Sequence, residues 1–262
     1  MDESEPESET SAETLETDRP KPRRRSWITG LVILTVLSAA PVTWLVYCRH
    51  TESQLDVLKK QGNTFRKETM GPVWFRRFAD KWRLPVPKRI VQFSSRTATD
   101  EDLAIVARER SLRVLFLIGS PVTDAGLMHI KVLPNVWQVF LRDVQITDAG
   151  VQHLGQMPKL RALWLRGTDV TDTGLVHLKD LRNLSNLGLA DTGITDDGLA
   201  ILSGFGSLTH LELDRTQVTD EGLEHLGKMK QLTRVYLRGT RVTPKGVDRL
   251  KAAIPGVDVR TD

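Results

Sequence analysis

From residue 112 onward, apolar residues recur in two rhythms that take turns. Leu112, Leu115 and Leu117 follow L-x-x-L-x-L, which sets Leu115 and Leu117 on one side of a short strand. Val122, Leu127, Ile130 and Leu133 follow, the last three at three-residue steps that predict a short helix or 3₁₀ stretch on the opposite side. The skeleton returns at Val136, Val139, Leu141, Ile146, Val151, Leu154 and Met157, and again from Leu160 to Leu181. Between the two rhythms stands a polar phrase, Val122-Thr123-Asp124-Ala125-Gly126-Leu127. Its copies begin at 98, 122, 146, 170, 194, 218 and 242, always 24 residues apart, with the first and last degraded. One such unit cannot bury its own apolar side, whereas stacked units share a continuous core, so the period predicts a solenoid.

Upstream the pattern changes. Ser26 to Cys48 is 23 residues without a formal charge, with Trp27 at one end and Trp44 and Tyr47 at the other. That length crosses the hydrocarbon core as a helix, and the rings favour headgroup level. Lys21, Arg23, Arg24 and Arg25 outnumber Arg49 beside it, so the positive-inside rule places the amino terminus in the cytoplasm and the remainder on the non-cytoplasmic side. A competing reading is a cleaved signal peptide ending at Ser38-Ala39-Ala40. Pro41 would hinder that cleavage and apolar residues continue to Tyr47, which favours a retained anchor.

The expected organisation is therefore a disordered acidic tail with a basic flank at 1–25, a transmembrane helix at 26–48, a juxtamembrane stalk and N-terminal cap at 49–87, and repeats at 88–262. Within the stalk, Leu55 and Leu58 share a helical face that Gly62 stops, and Trp74, Phe75, Phe78 and Trp82 form a stripe on a second helix. That stripe is expected to cover the open end of the first repeat. Arg76, Arg77, Lys81 and Arg83 could at the same time rest on anionic lipid.

The skeleton L-x-x-L-x-L-x-x-T-x-V-T-D-x-G-L-x-x-L is similar to the leucine-rich repeat, in the variant whose strand runs into an Ile-Thr-Asp-x-Gly-Leu turn. Thr168, Thr192, Thr216 and Thr240 stand where the family usually has Asn or Cys, and Ser120, Val144 and Arg96 depart further. The resemblance implies an α/β solenoid with short parallel strands on a concave face and short helices on the other side. It also implies hydroxyls at the Thr positions that bond adjacent turns, with a gap at Val144. The whole layout resembles bacterial membrane-anchored leucine-rich-repeat proteins of the cell envelope. The phrase also resembles F-box leucine-rich-repeat proteins, but no F-box segment precedes it.

Charge narrows the partners. The net +4 combines eight acids at 1–18, five bases at 19–25 and an excess of eleven bases over four acids at 49–90. From residue 91, 21 bases meet 21 acids, which argues against nucleic acid, whose binding rests on neutralised phosphates. Cys48 is the one cysteine, so there is no disulfide framework and no cysteine-based zinc site.

Three columns in the alignment invite chemistry. Asp100, Asp124, Asp148, Asp172, Asp196 and Asp220 each follow a Thr at the start of a helical turn, and helix capping accounts for both residue types. His129, His153, His177 and His225 line up on the helical side, but Ile201 interrupts them and no cysteine or invariant carboxylate accompanies them, so no metal is expected. The third column points out of the strands: Gln92, Phe116, Phe140, Trp164, Gly188, Glu212 and Tyr236. Two places on stand Ser94, Ile118, Arg142, Arg166, Ala190, Asp214 and Arg238. Exposed aromatics beside arginines are the residue types of binding hot spots. A ladder that only stabilises neighbouring strands is the competing account. The expected ligand-binding surface is thus Phe116, Ile118, Phe140, Arg142, Trp164, Arg166, Tyr236 and Arg238. No catalytic residue, cofactor or metal accompanies it, and the expected partner is a protein or other macromolecule. A structural envelope spacer or self-assembling component is the alternative.

Overall fold

Alternation decides the strand faces. In Val114-Leu115-Phe116-Leu117-Ile118, Leu115 and Leu117 are fully buried while their neighbours are partly exposed. The structure, a computed structural model, describes residues 58–69 and 88–262. The acidic tail, the apolar run at 26–48 and the aromatic stripe at 71–82 lie outside the described residues. Among the described residues no helix is long and apolar enough to cross a membrane.

Nine strands among the described residues form one sheet in chain order. They are β1 (Thr64–Thr69), β2 (Lys88–Ser95), β3 (Val114–Ile118), β4 (Gln138–Arg142), β5 (Ala162–Trp164), β6 (Asn186–Gly188), β7 (His210–Glu212), β8 (Arg234–Tyr236) and β9 (Asp258–Arg260). β1 pairs with β2 antiparallel, a strand that hydrophobic spacing did not predict, and every later pairing is parallel. Each strand from β2 to β8 is followed by a helix: α1 (Asp100–Val106), α2 (Asp124–Ile130), α3 (Asp148–Leu154), α4 (Asp172–Leu175, continued as a 3₁₀ turn), α5 (Asp196–Leu202), α6 (Asp220–Leu226) and α7 (Pro244–Ala253). Leu115, Leu127, Ile130 and their counterparts fill the space between sheet and helices as one unbroken core. Each such side chain contributes about 1.5–3 kcal/mol on burial. The chain is an α/β solenoid of parallel strands and short helices.

Two expectations need correction. The constant 24-residue step would set Gln92 beside Phe116 and Ser94 beside Ile118. The sheet instead pairs Gln92 with Val114 and Ser94 with Phe116. The first copy is two residues shorter between strand and helix, because the Ser95 hydroxyl accepts from the Thr97 and Ala98 amides (3.0 and 2.7 Å) and closes a tighter turn. In later copies the chain leaves the strand through a left-handed residue, as at Gly119, Asp143, Gly167, Asp191, Arg215 and Gly239. The second correction concerns the threonines. Thr168, Thr192, Thr216 and Thr240 donate to the carbonyl three residues back, at 2.5–2.7 Å, so they brace their own turn and form no ladder between copies. Val144 therefore leaves no gap in one.

Candidate functional site

The Thr-Asp-x-Gly phrase is the most chemical-looking feature, and its geometry is structural. Each Thr stands at the N-cap of its own helix; at Thr123, Thr147, Thr195 and Thr219 the hydroxyl accepts from the amide two residues on, at 3.2–3.3 Å, whereas the Thr171 side chain makes no such bond. The Asp does not cap its own helix. Its Oδ1 accepts from the backbone amide of the next copy's Thr at 2.7–3.0 Å, and its Oδ2 from that Thr's hydroxyl at 2.6 Å. Six such rungs run from Asp100–Thr123 to Asp220–Thr243. The Gly makes room for them. A Cβ on Gly126, Gly150, Gly174, Gly198, Gly222 or Gly246 would overlap Oδ1 of the preceding copy's Asp.

At two of the rungs these hydrogen bonds favour the charged carboxylate. Burial alone would raise Asp148, but donation from the Thr171 hydroxyl and amide, Thr173 and the Gly174 amide outweighs it and holds the carboxyl below its ordinary value. Asp220 is lowered by the Thr243 hydroxyl and amide, with Arg249 adding attraction. The ends of the ladder differ. Thr99 has no copy before it, and Asp102 occupies the glycine position there, accepting from the Thr99 amide at 3.0 Å. In the last copy Pro244 stands where the Asp would be.

The histidine column stays on the helical side, and among the described residues no three His, Cys, Asp or Glu side chains converge as metal ligands. Nδ1 of His153 is buried without a hydrogen-bond partner.

The concave face is where copies differ. Phe116, Phe140 and Trp164 are cross-strand neighbours in register. Their rings stack, with centroids 4.2 and 4.1 Å apart and planes within 9°. Stacking occupies ring faces, so the stack turns ring edges, the positive rim of the aromatic quadrupole, toward the opening. Trp164 leans over Gly188, where a Cβ would overlap the indole. Ile118 lies in register with Arg142, which is exposed and meets Asp143 at 3.3 Å.

The eight expected residues do not form one surface. Phe116, Ile118, Phe140, Arg142, Trp164 and Arg166 are contiguous. Tyr236 and Arg238 lie three strands beyond Trp164, about 14 Å away at the usual strand spacing, with Gly188 and Glu212 between Trp164 and Tyr236. Arg166 is also committed internally. Its Nε meets Asp191 at 3.0 Å, and Arg215 binds the same carboxylate. Donation from Arg215, then attraction from Arg166, holds Asp191 in its charged form. Beside this trio Glu212 is half-buried, and burial followed by the nearby Asp214 charge pushes its carboxyl up.

One further column escaped the sequence reading: Val114, Gln138, Ala162, Asn186, His210 and Arg234, two residues before the aromatic column and on the same face. Counting back by two along each strand would have found it. Asp191 and Arg215 carried a different signal, because they occupy the strand-end position held by Gly119, Gly167 and Gly239 in other copies.

Comparison with known proteins bears on the fold. A family model described as "Leucine Rich repeat" matches residues 207–227. No curated protein matches the sequence. Among solved structures the chain is similar to internalin C2 from Listeria monocytogenes, with 22% identity, a TM-score of 0.50, and coverage of 65% of this chain and 70% of that one. Internalin InlF of the same organism follows at 20% identity and a TM-score of 0.46, covering 61% and 50%. The plant peptide hormone receptor RGFR1 in complex with RGF2 shows 16% identity and a TM-score of 0.41, covering 60% and 26%. At such identities the likeness to internalin C2 is one of fold alone.

Proposed function

We propose that this chain is a membrane-anchored recognition protein whose solenoid binds a protein partner on the N-terminal half of its concave face. One observation carries the reading: three stacked rings stay partly exposed on an open sheet face. Stability alone needs no large rings there, and a pre-ordered stack gives up little side-chain entropy on binding. The contact patch is Phe116, Phe140 and Trp164 with Ile118 and Arg142. Arg166 shapes the rim through Asp191, and Tyr236 and Arg238 form a separate outer contact. Ser26 to Cys48 anchors the chain, and residues 49–262 lie outside the cytoplasm, a topology supported by the basic cluster before the apolar run.

The experiment is capture of the partner by the tagged full chain from native membranes, followed by its identification and direct binding. Phe140→Ala with Trp164→Ala is expected to weaken binding by about 2 kcal/mol or more, roughly 30-fold, as hot-spot truncation does. Unchanged affinity in a folded double variant would sink the assignment. Protease treatment of intact cells tests the topology separately: digestion of residues 49–262 only after lysis would overturn export.

A further inference from the structure

The balance of 21 acids and 21 bases from residue 91 hides a separation in space. All strands from β2 to β9 are parallel, so every strand start lies on one long edge of the solenoid and every strand end on the other. The seven strand-to-helix turns, taken with the first three residues of the helix that follows each, hold fourteen acids and six bases between residues 96 and 246, net −8. The six helix-to-strand turns between residues 107 and 233 hold ten bases and two acids, net +8. One edge is therefore acidic and the other basic by the same amount. Much of this charge is unspent internally: Asp169, Asp197 and Glu221 on the first edge, and Arg161, Lys179 and Arg182 on the second, are exposed and form no ion pair among the described residues.

We propose that the solenoid associates side by side with a second copy of this chain, the acidic edge of one against the basic edge of the next. Two features favour a second copy over an unrelated partner. A copy carries both complementary rows, and from residue 91 onward its acids and bases cancel, so that stretch adds no long-range repulsion between copies. Both rows also take their pitch from the same sheet, about 4.8 Å per copy, so acids and bases can stay in step along the contact. The contact is heterologous, leaving one free edge of each sign and hence an open row of copies rather than a closed pair. The concave face stays open in such a row, so this association is independent of the recognition proposed above.

The test is sedimentation velocity of the full chain in mild detergent. Self-association is expected at low salt, with a dissociation constant that rises roughly tenfold or more between about 20 and 500 mM NaCl, as exposed ion pairs are screened. Lys179→Glu with Arg182→Glu should abolish association, and so should Asp169→Lys with Asp197→Lys. Mixing the two double variants should restore pairing, because the first keeps its acidic edge intact and the second its basic edge. None of these four residues makes a rung, and restoration in the mixture also shows that both variants are folded. Phe140→Ala with Trp164→Ala should leave association unchanged. A chain that stays monomeric at low salt, or association that ignores salt and charge reversal, overturns the proposal. So does a monomer whose basic edge binds only phosphatidylglycerol vesicles.

Discussion

Each copy of the repeat presents two surfaces that obey opposite rules. Along the edge where strand passes into helix, the same side chains return: a Thr, an Asp and a Gly, with Asp148 reaching Thr171 as Asp172 reaches Thr195. Across the concave face the corresponding column runs Phe116, Phe140, Trp164, Gly188, Glu212, Tyr236. The difference lies in what each residue answers to. An edge Asp must satisfy an amide and a hydroxyl supplied by the next copy, so changing it damages two copies at once. A concave residue answers to its neighbours through ring contacts worth only about 0.2–1 kcal/mol per pair, so its identity is free for use by a partner. Uniformity marks coupling between copies, and variation marks the surface open to recognition.

The sharpest way to break the contrast is to crowd a rung. A Cβ at Gly150 would overlap Asp124 Oδ1 and come within 2.8 Å of Ile146 Cγ2. Asp124 cannot swing aside without releasing the Thr147 amide and hydroxyl. Gly150→Ala is therefore expected to cost about 2–4 kcal/mol, combining overpacking with lost charge-assisted hydrogen bonds. At Gly206 nothing lies within 4 Å of an added Cβ and the backbone needs no left-handed angle. Gly206→Ala should stay within about 0.5 kcal/mol. Equilibrium denaturation of both variants, with equal losses, would refute the rung as the source of uniformity.

The period made the fold legible, because 24-residue spacing of Val, Leu and Ile is visible without any structure. The rungs were less legible for a physical reason. Within one copy, Thr-Asp before a helix reads as a cap, and only three dimensions bring Asp124 to Thr147 rather than to its own amides. The shortened turn at Ser95 was masked in the same way: the Thr-Asp phrases stay 24 apart while the strand shifts by two residues against them. On the concave face, period-two alternation was enough to find Phe116, Phe140 and Trp164. It could not show that Arg166 is held by Asp191, since their meeting depends on the left-handed turn that directs Asp191.

The first copy offers a medium-sized test with an unusual sign. By the repeat pattern, Asp102→Gly restores the usual residue and should stabilise. By the rung logic it removes the acceptor that replaces the missing earlier Asp, leaves the Thr99 amide without it, and adds the entropy cost of a helical glycine. The expected loss is about 1–2 kcal/mol. Asp102→Asn, which keeps an acceptor oxygen, should lose less. A stabilised Asp102→Gly variant would mean that uniformity at the glycine position has some other cause.

The smallest expected effect separates the two surfaces by pH. The rung carboxylates Asp148 and Asp220 are held below their ordinary value of 3.8. Their contribution to stability is thus present above that value and lost as pH falls through the lower folded values. Glu212 on the concave face has the opposite sign. Its folded carboxyl sits above 4.5, raised first by burial and then by Asp214, so the folded state loses stability as pH rises from 4.5 through the folded value. Glu212→Gln removes that charge. It should stabilise the chain at pH 7 by about 0.5 kcal/mol or less, in the range of surface substitutions, and the gain should vanish below pH 4.5. Thermal melts of the variant and parent across this range measure the difference directly. A variant that is less stable at pH 7 would show that Glu212 is held by attraction, and that the concave face, like the edge, is organised for stability.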